Sequence, residues 1–362
     1  MNLSVATLFS LALLLANPLR SEELENYLRE QMTKQHIPGL AFAVTKEGQL
    51  ARSGGFGLAN IELGAAVQPD TVFQIQSITK TFTATAIMML AEEGKLNIED
   101  KLTAHLADLP ASWNDITLRH LLTHTSGIKD FINEPTLNLR QEITPQAVIQ
   151  SLRDLPLNFA PGEKYAYSNT GYHLLGMVIH KHTGKLWGDY LRQRIFEPLG
   201  MTQTRVVSLS EIITNRAAGY VWEDGRIQNG HFLAGSILAY AGGGLRSTAL
   251  DLAKWDAGLW SDQLLKRKTL EQMWTAATFN DGTKSKYGLG WNVDELQGHI
   301  YVSHTGSHMT GFKTVLMRFL KDKLSVIVLT NQRAADQTSI AKGIAGFYLP
   351  DLRATPASAS GR

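Results

Sequence analysis

A run of six residues near the end of the chain, 324–329, is apolar except for Ser325, and it constrains the fold more than any other feature. A stretch this short and this apolar is typical of a strand covered on both faces at the centre of a sheet. Two more strand patterns, at 40–44 and 50–58, lie near the other end of the chain, joined by a turn at 46–48. The sheet is therefore expected to take strands from both ends of the chain.

Most of the sequence between these strands has helical patterns. Apolar residues recur every three to four positions, which is typical of helices that bury one face. Helices are predicted at 77–93, 117–123, 145–152, 172–182, 186–195, 248–259, 268–276 and 338–348, with another between Ser21 and Pro38. Further strands are predicted at 288–293, 299–303 and 312–319. We therefore predict an α/β (α+β) fold, a sheet formed by both chain ends and flanked by helices, with an inserted helical domain.

These patterns divide the chain into three parts. Residues 1–20 are predicted to be a signal segment, 21–349 one folded domain, and 350–362 a disordered tail. Within the domain we expect a sheet subdomain from about 21–76 and 280–349. A helical subdomain is expected over about 77–279.

Composition excludes several classes of function. Hydrophobic residues make up 44% of the chain and charged residues 19%, an ordinary balance for a globular protein. The net charge is +2 and no long cationic block occurs, so no nucleic-acid partner is expected. The absence of cysteine excludes disulfides, thiolate metal sites and a cysteine nucleophile.

The apolar stretch at 5–16 bears on where the protein acts. It is too short for a typical membrane span and is better read as a secretory signal, which predicts a periplasmic or secreted protein. No Lys or Arg precedes it and no clean small-x-small cleavage site follows, so a membrane anchor or a mispositioned start stays open. Nothing later is apolar long enough to span a bilayer, and no integral membrane association is expected once the signal is removed.

The first motif that can carry chemistry is Ser77-Ile78-Thr79-Lys80, at the start of a predicted helix. Residues three apart share a helix face, so the Lys80 amine can reach the Ser77 hydroxyl. A serine hydroxyl becomes nucleophilic when a base takes its proton, and a partly buried lysine can be that base. The Ser77 backbone N–H can stabilise a developing oxyanion. Taken alone, S-x-x-K is a weak signal that more often marks a capped helix with a surface lysine.

The second motif is Tyr167-Ser168-Asn169, which follows a Pro-Gly turn. A tyrosine hydroxyl beside a lysine ammonium can become partly phenolate and move protons. The Asn169 amide can hydrogen-bond the lysine or a substrate amide. A loop tyrosine that only packs its ring is the commoner case for this motif on its own.

The third motif is His304-Thr305-Gly306, at the end of the strand predicted over 299–303. A glycine at that position allows a substrate to approach the backbone closely. The next residue, Ser307, can offer a second N–H to an oxyanion.

The order and spacing of the three motifs resemble the serine β-lactamase and DD-peptidase superfamily, whose class A members carry S-x-x-K, S-D-N and K-T-G. The tyrosine form is similar to class C β-lactamases, DD-carboxypeptidases and related esterases. The His-Thr-Gly form is closest to the DD-carboxypeptidase and esterase members. Supporting segments at 73–76, 121–128, 160–163, 242–248 and 287–291 also resemble this superfamily, and the resemblance covers about 37–331.

The resemblance implies a β-lactamase/transpeptidase-like fold with an antiparallel sheet, and it implies roles for individual residues. Ser77 would be the nucleophile, and Lys80 and Tyr167 the acid–base pair. Ser77 and Ser307 would supply the oxyanion donors. The substrate-binding residues would be Asn169, His304, Thr305, Gly306 and Ser307. No metal and no cofactor are expected.

His304 is the departure that bears on the substrate. A lysine there would present a positive charge, whereas a histidine of ordinary pKa is mostly neutral at pH 7. Selection for anionic substrates should therefore be weaker and strong β-lactamase activity is disfavoured, although Arg333 can supply a charge.

We predict a serine hydrolase that forms an acyl-Ser77 intermediate with amide or ester substrates. The favoured type is a D-amino-acid peptidase like a DD-carboxypeptidase, acting on a small molecule or a peptide, cell-wall peptides included. A broad-range carboxylesterase, a weak β-lactamase and a penicillin-binding sensor that does not turn over remain alternatives.

Three other patterns are interpreted as structural. Glu134 lies in a segment like the acidic loop of class A enzymes, but it precedes the second motif instead of following it. His120 and His124 are four apart, as zinc ligands can be, yet no third ligand is evident. The glycines at 242–244 lack the Lys-Ser/Thr pair of a phosphate-binding loop and predict a tight turn near the cleft.

Overall fold

The computed structural model of the protein describes residues 18–134 and 137–353. The apolar run near the end of the chain forms β12 (Leu324–Thr330), in which every residue is buried. It pairs antiparallel with β1 (Gly39–Lys46) on one side and with β11 (Lys313–Phe319) on the other. The two ends of the chain therefore meet at the centre of one sheet, as the sequence predicts.

The sheet has seven strands, all in antiparallel pairs, in the order β3-β2-β1-β12-β11-β10-β9. The remaining strands are β2 (Gln49–Asn60), β3 (Ala65–Ala66), β9 (Asn292–Leu296) and β10 (His299–Ser307). Together with the flanking helices, this antiparallel sheet confirms the predicted fold class.

Alternation along β12 explains why both faces of the sheet are covered. Val326 and Val328 point into one apolar cluster, while Ile327 and Leu329 point into another, because successive side chains of a strand face opposite sides. The first cluster contains residues of α1 (Pro18–Lys34) and α10 (Gln337–Gly346). The second contains residues of the helices that lie between residues 79 and 273.

The helices between the two sets of strands are α2 (Thr79–Glu92), α3 (Leu118–Leu122), α4 (Pro145–Leu152), α5 (Asn169–Thr183), α6 (Trp187–Leu191), α7 (Gly235–Leu238), α8 (Ala249–Gly258) and α9 (Arg267–Met273). Two small antiparallel sheets lie in the same part of the chain. One has the order β4-β8-β5 and the other pairs β6 with β7. Their strands are β4 (Phe73–Gln74), β5 (Arg205–Val206), β6 (Tyr220–Glu223), β7 (Arg226–Asn229) and β8 (Leu245–Ser247).

Several predicted boundaries are wrong: the helix predicted at 268–276 ends at Met273, and the strand predicted at 299–303 continues to Ser307. The strand predicted at 288–293 begins only at Asn292, because Gly290 has a φ of +84° and Gly288 donates its N–H to the Trp291 carbonyl in a turn. Pro350–Arg353, predicted as the start of a disordered tail, form a short 3₁₀ helix, and the Arg353 guanidinium lies 4.0 Å from the centroid of the Phe347 ring.

The rest of the tail, and residues 1–17 of the predicted signal segment, lie outside the described residues. Residues 18–20 of that segment are the first turn of α1. Among residues 18–134 and 137–353, no helix combines the length and the apolar character needed to cross a bilayer.

Candidate active site

Ser77 lies in a single turn of 3₁₀ helix, Gln76–Ile78, directly before α2. The preceding residue, Gln76, has a left-handed backbone with a φ of 52°. A bulky residue rarely adopts this conformation, and it persists only where its surroundings hold it. The Gln76 side chain is buried and donates to Gln74 Oε1 at 2.7 Å and to Thr310 Oγ1 at 3.0 Å. These contacts hold the backbone that presents Ser77.

Lys80 is three residues further on, in the first turn of α2, and its side chain is completely buried. Its Nζ atom donates to Ser77 Oγ at 3.3 Å, to Asn169 Oδ1 at 2.8 Å and to the Gly242 carbonyl at 2.6 Å. All three acceptors are uncharged, so no carboxylate neutralises the ammonium by direct contact. Burial lowers the pKa of Lys80 to about 7, although the charge of Asp130 acts in the opposite direction. A large share of Lys80 is therefore neutral, and able to accept a proton, near pH 7.

Tyr167 completes the contact predicted between the first two motifs. Its hydroxyl is hydrogen-bonded to the Ser77 side chain, and its ring centroid lies 4.7 Å from Lys80 Nζ. Tyr167 is 36% exposed, so it lines an open cleft. Desolvation, with the nearby Tyr240 hydroxyl, raises the pKa of Tyr167 well above its usual value. The prediction of a partly phenolate Tyr167 is therefore wrong: the phenol keeps its proton, and Lys80 is the group suited to act as base.

Asn169 connects Lys80 to an acidic residue that the sequence motifs do not include. Asn169 Oδ1 accepts from Lys80 and from the Tyr240 hydroxyl, at 2.8 and 2.7 Å. Its Nδ2 atom donates to Asp130 Oδ2 at 2.8 Å. Two donors on one side and a carboxylate on the other fix the orientation of the amide. Burial raises the pKa of Asp130.

His124 supports the backbone of the second motif. Its Nδ1 atom accepts the Ser168 N–H at 3.1 Å, and its ring lies 4.2 Å from the ring of Tyr167. Burial lowers the pKa of His124 well below its usual value, so the imidazole is neutral. His120 caps α3 by accepting the Thr117 N–H. Within the described parts of the chain no three His, Cys, Asp or Glu side chains are placed to hold a metal ion, and both histidines have structural roles.

The third motif forms the opposite side of the cleft, on β10. His304 is buried; its Nδ1 donates to the Thr305 carbonyl at 2.8 Å, so that its Nε2 accepts from the Tyr287 hydroxyl at 2.8 Å. Burial and the charge of Lys80 lower the pKa of His304 to about 3. The first residue of the His-Thr-Gly motif is therefore uncharged at neutral pH.

Gly306 shows why this strand lies so close to the nucleophile. A Cβ atom at Gly306 would lie 2.3 Å from the Ile75 carbonyl and 2.9 Å from the Gln76 Cβ. Only glycine permits that approach of β10 to the backbone before Ser77. Ser307, the predicted second oxyanion donor, is the next residue and the last of β10, opposite Lys313 of β11.

The structure thus brings Ser77, Lys80, Tyr167 and Asn169 into one hydrogen-bonded group, with His304 across the cleft. The motifs did not identify four residues that complete it: Asp130, Tyr240, Tyr287 and His124. His124 lies in the 121–128 segment and Tyr287 in the 287–291 segment, both of which resemble the superfamily, and Asp130 lies two residues after the first of them. These segments are the sequence signals that point to the three residues. The Gly242 carbonyl on Lys80 places the glycine run at the cleft.

Comparisons with known proteins agree with this geometry. The family model described as Beta-lactamase matches residues 24–346. Penicillin-binding protein 4* of Bacillus subtilis (strain 168) is 30% identical over 324 residues, which cover 84% of this chain and 70% of that protein.

Two solved structures show the same similarity. The octameric penicillin-binding protein homologue from Pyrococcus abyssi has a TM-score of 0.81 and 30% identity, covering 91% of this chain and 77% of that one. The D-amino acid amidase from Ochrobactrum anthropi SV3, complexed with L-phenylalanine amide, has a TM-score of 0.76 and 25% identity, covering 92% and 100%.

Proposed function

The chain belongs to the beta-lactamase family and is a serine hydrolase, and on that premise we propose that it hydrolyses amide bonds beside D-amino acid residues, as a DD-carboxypeptidase does. The observation that carries the proposal is the contact between the Ser77 hydroxyl, the Lys80 amine and the Tyr167 phenol. Support for the substrate class comes from the Ochrobactrum anthropi protein, a D-amino acid amidase of the same fold.

The proposed reaction has two half-reactions. Neutral Lys80 takes the Ser77 proton, either directly or through the Tyr167 hydroxyl, while Ser77 Oγ attacks the amide carbonyl. The backbone N–H groups of Ser77 and Ser307 would hold the oxyanion. The proton then passes to the leaving amine, the C–N bond breaks, and an acyl ester on Ser77 remains. Water then attacks that ester and loses a proton to Lys80, either directly or through Tyr167. The proton returns to Ser77 Oγ as the carboxylic acid is released.

The uncharged His304 supports the part of the proposal that disfavours strong β-lactamase activity, because no cation at this position selects anionic substrates. The His304 imidazole is uncharged at neutral pH and both of its nitrogens are hydrogen-bonded within the protein, so it offers no ionic attraction to a substrate carboxylate. Discrimination against neutral amides is then weak. Cell-wall peptides remain the proposed natural substrates, and acting on them requires the export that the N-terminal segment predicts.

Substrate rates measured side by side test the proposal. We would compare an N-acylated D-Ala-D-Ala peptide, its L-Ala-L-Ala isomer, a short-chain p-nitrophenyl ester and a chromogenic cephalosporin. The expected result is preferred release of D-Ala. Equal rates on the two peptides with a faster ester reaction would indicate a carboxylesterase. An acyl-enzyme with penicillin that persists, without peptide turnover, would indicate a sensor.

Mass spectrometry after treatment with a fluorophosphonate or a penicillin tests the nucleophile separately. The adduct is expected on Ser77 and should disappear in Ser77→Ala. Ser210→Ala, a change of an exposed surface serine, is the matched control and should label like the wild type. An adduct that persists in Ser77→Ala would refute the assignment.

A further inference from the structure

Arg246 on β8 is a buried cation whose Nε atom has no hydrogen-bond partner, and it is not one of the groups that contact Ser77. Its residue is only 5% exposed, and its Nε atom is buried without a hydrogen bond. Among the described residues this guanidinium forms no ion pair, and its Nε atom has no acceptor. A buried guanidinium normally has its donors satisfied, because leaving a charge desolvated and unpaired is strongly unfavourable. Its environment therefore lacks an acceptor.

Two other arginines, Arg205 and Arg216, lie near Arg246 and add to the positive charge around it. Arg205 on β5 stands directly opposite Arg246 in the small sheet, and like charges in that position destabilise a strand pair. Arg205 forms an ion pair with Glu211, with 2.7 Å between Arg205 Nη1 and Glu211 Oε1. Arg216 is bridged to Val72, two residues before the Gln74 that pairs with Arg246 on its other side. The charges of Arg216 and Arg205 act on Arg246, and Glu211, which acts on it in the opposite direction, is already paired with Arg205.

Charge interactions agree with this geometry. Burial, with the charges of Arg216 and Arg205, lowers the pKa of Arg246 to about 10, although the charge of Glu211 acts in the opposite direction. Arg246 still carries its charge at neutral pH.

Gln74 adds a further unused donor. It lies beside Arg246 across the strand pair and is 7% exposed. Its Oε1 atom accepts from Gln76 and Thr310, which leaves its Nε2 atom without an acceptor among the described residues. Donors without acceptors thus meet at neighbouring positions of β4 and β8. Gln74 also connects this place to the Gln76 side chain that supports the Ser77 turn.

We propose that Arg246, with Arg216 and the Gln74 amide, binds a small oxyanion of the carboxylate or phosphate type. Such a group supplies two or more acceptor oxygens, which match the parallel donors of a guanidinium. It would also neutralise the like-charge pair of Arg246 and Arg205. The site adjoins β4, which leads into the Ser77 turn, and the proposal does not depend on the proposed hydrolytic function.

Thermal unfolding of the whole chain in increasing inorganic phosphate tests the proposal, with sodium chloride at equal ionic strength as the reference. The wild type should show a saturable rise in Tm, of roughly 3–5 °C at about 100 times the dissociation constant. Sodium acetate in a parallel titration distinguishes a carboxylate from a phosphate site. Lys80→Met should keep the same response, because this variant removes the active-site cation instead.

Two variants locate the site, and a third is the control. Arg216→Gln changes an exposed side chain, and the apparent dissociation constant should rise about tenfold. Arg246→Met should abolish the saturable response and, without anion, melt at or above the wild-type Tm, because it removes an unpaired buried charge. Arg226→Gln, an exposed change on β7, should behave as the wild type.

The proposal fails if the wild type responds to phosphate only as it does to chloride. It also fails if Arg216→Gln and Arg226→Gln respond identically to the wild type. Loss of the response in Lys80→Met would move the anion to the active site and refute the Arg246 site as well.

Discussion

Lys80 and Arg318 are both completely buried cations, yet the protein surrounds them in opposite ways. Arg318 on β11 donates from Nε to Asp256 Oδ1 at 2.6 Å, and the same carboxylate accepts from Ser325 and Thr45. Lys80 contacts only uncharged oxygens, and its nearest carboxylate, Asp130, is reached through the Asn169 amide. One cation has a direct counter-ion and the other does not.

The difference separates a structural charge from a reactive one. Burial lowers the pKa of both groups, but the Asp256 carboxylate opposes this effect at Arg318, whose guanidinium stays charged. At Lys80 no carboxylate in direct contact opposes the effect of burial, and the pKa of Lys80 falls to about 7. A buried cation with its counter-ion joins the sheet to α8, whereas one without it can exchange a proton.

Removing the reactive cation should give the largest effect on rate. Lys80→Met is expected to lower kcat/KM about 10²–10⁴-fold, because the base that activates Ser77 is lost. Its free energy of unfolding should stay unchanged or rise, since no carboxylate is left unpaired in contact with it. Activity assays and urea denaturation of the same preparations measure both.

Arg318→Met is the matched variant for that comparison. It should lose stability and keep its activity per folded molecule, as it lies outside the cleft. If Lys80→Met were destabilised and Arg318→Met inactive while folded, the two buried cations would have the reverse roles.

Removing the counter-ion of the structural cation should give the largest effect on stability. Asp256→Ala is expected to lower the free energy of unfolding by about 3–5 kcal/mol, because it leaves Arg318 buried and unpaired. The exposed pair of Arg267 and Glu271 is the control, and Glu271→Ala should cost less than about 1 kcal/mol. Urea denaturation of both variants is the measurement, and equal losses would contradict the contrast.

Lys80 should give both the activity and the stability of the protein a dependence on pH that begins near neutral pH. Activity should rise with pH to a plateau, with an inflection near the Lys80 pKa of about 7, since only the neutral amine is a base. Between about pH 7 and 10 the unfolded chain keeps the lysine proton that folded Lys80 has lost. Stability should therefore rise with pH there, by up to about 1.4 kcal/mol per pH unit.

Comparing the wild type with Lys80→Met isolates the contribution of Lys80 to the pH dependence of stability. Tyrosines that titrate in the same pH range contribute equally to both proteins and cancel. The difference in unfolding free energy between them should change steadily from pH 7 to 9. A difference independent of pH would show that Lys80 keeps its proton in the folded protein.

The smallest expected effect tests the indirect counter-ion. Asp130→Asn keeps an oxygen that can accept from Asn169 but removes the charge that raises the Lys80 pKa. The inflection of the pH–rate profile should move to lower pH by a fraction of a unit, and the plateau should fall less than about tenfold. Glu134→Gln, four residues away, should leave the profile unchanged. A shift to higher pH would contradict the assignment.

The regular elements could be predicted from the sequence because their patterns are local. The helix over 145–152 and the strand over 324–329 were predicted to within a residue, since apolar periodicity determines both. Two- and three-residue strands such as β4, β5 and β8 have too few residues to show any period. The error at 288–293 has a different origin: Leu289 and Trp291 alternate as in a strand, but Gly290 needs a left-handed backbone.

The site could be predicted only where chemistry follows sequence spacing. Ser77 and Lys80 are one helical turn apart, and their contact follows from that. The Asp130–Asn169 bond joins residues 39 positions apart, and the Tyr287–His304 bond joins two that no motif relates. The pKa directions also depend on burial, which explains why the protonation of Tyr167 was predicted wrongly.

The position of β12 between β1 and β11 has a consequence for the order of folding. The seven-stranded sheet cannot be completed until β12 has been synthesised, because β12 is the strand that joins β1 on one side to β11 on the other. Contacts between distant parts of a chain form slowly. A nascent chain that ends before residue 324 would hold two half-sheets with open edges, each able to pair with another chain. We expect the sheet to be completed late in folding, when β12 pairs with β1 and β11.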